Sequence, residues 1–69
     1  MTSQELQKIQ NYFQLKFGNS LINLKLSNSD ENMAEVYIEK EFIGTLYKDE
    51  DEGEISYDFN MSIIDIDLK

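Results

Sequence analysis

The sequence predicts an α+β domain, one N-terminal helix packed on a four-stranded antiparallel β-meander, and three observations carry that prediction. Apolar residues recur at helical spacing as far as Phe17, then alternate with polar ones from Leu21 onward. The stretch Phe42 to Ile63, FIGTLYKDEDEGEISYDFNMSI, reads as a hairpin of two apolar runs joined by an acidic tip that holds one glycine. The chain has 69 residues, near the lower limit for a self-sufficient core, so residues 1–69 are expected to form a single small domain.

The helix is expected to start at Ser3. Thr2-Ser3-Gln4-Glu5 has the spacing of a capping box, in which the Thr2 hydroxyl accepts from the Glu5 amide and the Glu5 carboxylate accepts from the Thr2 amide. Leu6, Ile9, Phe13 and Phe17 fall on one stripe, with Tyr12 at its flank and Leu15 pointing away. Gly18, followed by Asn19, is placed to end the helix in a left-handed conformation, and Lys16 puts a cation in the last turn. Leu21 to Leu26 then alternates, with Ile22, Leu24 and Leu26 on one side. Ser27 to Asn32 is a polar loop of turn formers. Met33 to Glu39 is a second strand, with Ala34, Val36 and Ile38 on one side and Glu35, Tyr37 and Glu39 on the other. A tight turn at Glu39-Lys40 leads into Phe42 to Lys48, and after the acidic run Asp49 to Glu54 the last strand runs from Ile55 to about Ile64. At Ile63-Ile64 the alternation changes phase, as a bulge or a final helical turn would make it do.

Loop lengths decide which strand faces merge, because directly opposed residues of an antiparallel pair point to the same side. A two-residue turn at Glu39-Lys40 pairs Tyr37 with Phe42 and Val36 with Ile43. At the acidic tip, Gly53 at positive φ as a bulge after a type I turn pairs Tyr47 with Tyr57, Thr45 with Phe59 and Ile43 with Met61. One face is then almost wholly apolar: Ile22, Leu24, Leu26, Val36, Ile38, Ile43, Tyr47, Tyr57, Phe59 and Met61, with the helix stripe across it. A slip of one residue would mix the two faces. The same register leaves Tyr37, Phe42 and Leu46 as an apolar cluster on the opposite face, beside Gly44, whose missing side chain leaves a gap for another to fill.

Composition narrows the function. The formal charge is −8, and six scattered lysines make no basic patch, so neither nucleic acid nor an anionic membrane surface is an expected partner. The chain has no histidine and no cysteine, which removes the usual general bases, nucleophiles and zinc ligands; enzyme activity and a cofactor are not expected. MTSQELQKIQ carries no apolar run or basic leader, and no stretch approaches the roughly 20 apolar residues of a membrane span. The expected setting is cytoplasmic.

A core of this size rarely supplies more than roughly 3–5 kcal/mol, and self-association would bury more apolar surface. The sequence therefore points to a small protein-binding module that self-associates, with Tyr37, Phe42 and Leu46 as the contact and a basic protein surface as a possible partner. The alternative is a divalent-cation-binding domain using the carboxylates of residues 49–54. Their spacing is not that of an EF-hand: counted from Asp49, glycine falls fifth and Asn60 falls twelfth, where that loop needs glycine sixth and glutamate twelfth. No metal ligand is singled out.

The motifs Ala34-Glu35-Val36-Tyr37, Glu41-Phe42-Ile43-Gly44, Leu46 to Glu54, Ser56-Tyr57, Phe59 and Met61 resemble a short family of alphaproteobacterial proteins that carries only a domain-of-unknown-function label. The opening, Glu5-Leu6 through Phe17-Gly18-Asn19, is similar to it too, so the resemblance spans nearly the whole chain. Members of that family have a Gly-Asp turn where this chain has Glu39-Lys40. The resemblance implies a bacterial cytoplasmic protein and brings no activity, cofactor or catalytic residue.

Overall fold

The computed structural model describes residues 1–63, 65 and 68. Among these residues one helix, α1 (Ser3–Phe17), precedes four strands, β1 (Ile22–Leu26), β2 (Met33–Ile38), β3 (Glu41–Asp51) and β4 (Glu54–Asn60). The strands form one antiparallel sheet in the order β1-β2-β3-β4, the expected meander. The phase change proposed at Ile63-Ile64 involves a position outside the described residues, and β4 ends at Asn60, short of the expected Ile64.

The helix ends are those the sequence encodes. The Thr2 hydroxyl accepts from the Glu5 amide at 3.1 Å, and Glu5 Oε1 accepts from the Thr2 amide at 3.1 Å. Gly18 closes the helix at φ 61°, its amide donating to the Gln14 carbonyl. Ile9 and Phe13 are buried and Leu6 is half-buried; Phe17 is exposed, its ring edge-on to Phe13 at 5.6 Å, and Leu15 is 85% exposed. The helix rests chiefly against β1. It also closes that edge of the sheet. Gln10 Oε1 accepts from the Leu24 amide at 2.9 Å, and Gln14 Nε2 donates to the Ile22 carbonyl at 2.8 Å.

The sheet corrects the expected register of β3. Tyr37 does oppose Phe42 across the Glu39-Lys40 turn, with Glu39 held at φ 54°. The register then slips by one residue: Val36 opposes Gly44 rather than Ile43, and Ala34 opposes Leu46. Ile43 is the extra residue of a bulge. At the acidic tip there is no bulge. Asp51 opposes Glu54, so Glu52 and Gly53 form a two-residue turn, at φ 50° and 82°. Two successive positive φ values are those of a type I′ turn, whose twist matches the flanking strands.

The core between helix and sheet is therefore Ile9 and Phe13 from α1 with Ile22, Leu24, Ala34, Val36 and Leu46 from the strands, ringed by half-buried Ile38, Ile43, Tyr57 and Phe59. Tyr47, expected inside, is 42% exposed on the opposite face, Met61 is exposed beyond the end of β4, and Leu26 is 38% exposed at the end of β1. Gly44 faces the core, and its missing side chain is filled from that side: an added Cβ would lie 2.7 Å from Phe59 Cε1 and 2.4 Å from the Asn60 carbonyl oxygen.

Candidate functional site

The expected contact, Tyr37, Phe42 and Leu46, is split by the sheet. Leu46 is 1% exposed in the core, placed there by the Ile43 bulge, which turns the alternation of β3 over. A leucine buried this way contributes roughly 1.5–3 kcal/mol of burial to the fold itself. Tyr37 and Phe42 remain together on the far face, rings edge-on at 5.7 Å, with Phe42 half exposed. The Tyr37 hydroxyl donates to Glu35 at 3.0 Å, which raises the Tyr37 pKa, and Lys25 Nζ lies 5.9 Å from the Tyr37 ring centroid.

The acidic run does not converge. Asp49 pairs with Ser56 and Asp51 with Glu54 on the outer face, while Glu50, opposite Ile55, faces the helix side. Among the described residues, no group of three or more His, Cys, Asp or Glu side chains is arranged to hold a metal ion. The Lys48 amide bonds the Asn32 carbonyl at the start of β2. Beyond it, among the described residues, only β4 pairs with β3, so residues 49–56 form a two-stranded acidic arm.

The surface the sequence did not single out is a groove between α1 and β4. It arises because the helix sits toward β1 and leaves β4 largely uncovered. Its volume is about 400 Å³, and its lining is Ile9, Tyr12, Phe13, Leu46, Tyr57 and Phe59, completed by Glu5 and Lys8. The Phe13 and Phe59 rings meet edge-on at 5.4 Å and form part of its wall. Tyr12, the flanking residue of the helix stripe, is 57% exposed.

A polar clamp borders this groove. Lys48 Nζ lies 2.7 Å from Glu5 Oε2, and the Tyr57 hydroxyl donates to the same oxygen at 2.5 Å. Lys48 and Tyr57 oppose each other across β3 and β4, so the clamp ties the first turn of α1 to the base of the acidic arm. The hydrogen bond from Lys48, then that from Tyr57, then that from the Thr2 amide hold the Glu5 carboxyl down at about 2, from an ordinary 4.5. The same bonds to Glu5 raise the pKa of Lys48 and of Tyr57. A two-residue Glu52-Gly53 tip sets Lys48 opposite Tyr57, so a type I′ turn at Glu52-Gly53 is the sequence signal for the clamp.

Fold and site thus define a one-helix, four-stranded α+β domain with an apolar groove open beside its outermost strand. Residues 5–67 match the family described as Protein of unknown function (DUF3126), and the chain belongs to that family. No curated protein and no solved structure matches it.

Proposed function

We propose that this domain is a protein-binding module that acts by docking rather than by catalysis. Its main contact is the groove between α1 and β4, and the occupant is an apolar segment of a partner that carries positive charge. The observation that carries this reading is the partly uncovered apolar lining, with Tyr12 exposed and Tyr57 and Phe59 half-buried, on a chain of charge −8. The acidic arm next to the groove favours a basic partner and sets encounter rate and selectivity more than affinity. Tyr37 and Phe42 form a second, smaller apolar contact on the far face. The setting is a bacterial cytoplasm, which the family resemblance supports. Among the described residues no helix is long and apolar enough to cross a membrane.

Titration of the ¹⁵N-labelled protein with a synthetic amphipathic Leu/Lys peptide tests this. Saturable amide shifts are expected around Ile9, Tyr12, Phe13, Tyr57 and Phe59, weakening as salt is added. Tyr12→Lys should abolish them, whereas Leu15→Lys, at an exposed position outside the groove, should not. Shifts confined to the acidic arm, or equal loss with both variants, would overturn the groove reading.

A further inference from the structure

We infer that the domain pairs with a second copy of itself along β4, antiparallel, about a two-fold axis through Tyr57. The inference goes beyond the groove reading, because the contact is the β4 edge and the second copy, at −8, is not the basic occupant of the groove. Its starting point is the difference between the two edges of the sheet. The β1 edge is occupied by Gln10 and Gln14 of the helix, which bond Leu24 and Ile22. Among the described residues the β4 edge has no such cover, and no strand but β3 pairs with β4. An edge strand of seven residues with half-exposed apolar side chains is a template for another strand.

The sequence of β4 selects the register. A two-fold axis perpendicular to the sheet sets one residue opposite its own copy and keeps both helices on the same side. With Tyr57 at the axis, all seven residues of β4 are paired: Glu54 with Asn60, Ile55 with Phe59 and Ser56 with Asp58, each twice. No carboxylate opposes another. Moving the axis to Ser56 sets Glu54 against Asp58 twice, and moving it to Asp58 sets that carboxylate against itself. On the helix side, Tyr57 at the axis makes Ile55, Tyr57, Phe59 and their copies one apolar row. Ile55, 53% exposed in the single chain, gains a partner there. The row also joins the grooves of the two copies across their shared edge.

Sedimentation equilibrium of the whole chain tests the pairing. Each copy carries −8, so the dimer should tighten as salt is raised, opposite to the salt response of the basic peptide. Ser56→Lys sets a lysine opposite Asp58 of the other copy twice, and should tighten the dimer by roughly tenfold. Ser56→Asp sets acid against acid at the same two places and should loosen it by a similar factor. Circular dichroism melts check that both variants fold, and Ile55→Lys, at a position exposed in the single chain, serves as a second disrupting variant. Dimerisation that Ser56→Lys leaves unchanged or weakens, or a Ser56→Lys protein that stays monomeric, would overturn the inference. Such a result leaves the peptide titration intact, because Ser56 lies on the sheet face away from the groove.

Discussion

At the scale of single residues, two glutamates sit where the backbone favours glycine. Glu39 at φ 54° and Glu52 at φ 50° are both in the left-handed region, which crowds Cβ against the following carbonyl and costs about 1–2 kcal/mol for most side chains. Each is the first residue of a tight hairpin turn. At Glu52 the next residue is Gly53, so one change would produce Asn-Gly, the pair most favoured in a type I′ turn. Glu52→Asn is expected to stabilise the domain by about 1 kcal/mol, read as a higher urea midpoint with an unchanged slope. An unchanged or lower midpoint would mean that the acidic tip does not hold both turn residues at positive φ.

At the scale of elements, β3 departs from its expected register. The helix was legible from Thr2 to Gly18 because its capping box and left-handed glycine are local signals that no distant contact has to confirm. The meander and the helix-facing placement of Val36, Tyr57 and Phe59 were legible because alternation within each strand is also local. Where β3 changes phase was not. Bringing Val36 and Phe59 to one face needs a single odd step between β2 and β4, and sequence alternation sets the total without setting its place. The step was expected at Gly53 and lies at Ile43, so Leu46 and Tyr47 exchange faces. The contact cluster lost Leu46 for that reason, and the α1–β4 groove went unseen because its Leu46 floor and its Lys48–Tyr57 pairing both follow from the step. Gly44 marks the true position. Phe59 Cε1 and the Asn60 carbonyl occupy the space that a Cβ would need, at 2.7 and 2.4 Å. Gly44→Ala must push Phe59 or the β4 backbone away, and is expected to cost about 1–3 kcal/mol in chemical denaturation. A neutral Gly44→Ala would place the bulge elsewhere.

At the scale of the whole molecule, one polar clamp works against a large excess of negative charge. Glu5 joins α1 to β3 through Lys48 and to β4 through Tyr57, while thirteen other acidic residues repel one another across a small domain (14 less Glu5). Acid acts on these two effects in opposite senses. Protonating the scattered carboxylates relieves repulsion; protonating Glu5 breaks the clamp. Because the folded-state pKa of Glu5 is depressed from 4.5 to about 2, the folded state holds this proton less tightly than the unfolded chain does. The contribution of the clamp is therefore fully present above 4.5 and is lost as the pH falls from there through about 2. Glu5→Gln isolates it, since glutamine preserves the capping box while removing the charge. The stability gap between wild type and Glu5→Gln, from urea unfolding at successive pH values, should be constant above about pH 5 and close progressively toward pH 2. Added salt should narrow the gap, because the clamp remains partly open to water. A gap independent of pH across that window would mean that the Glu5 carboxylate does not hold the helix to the hairpin through its charge.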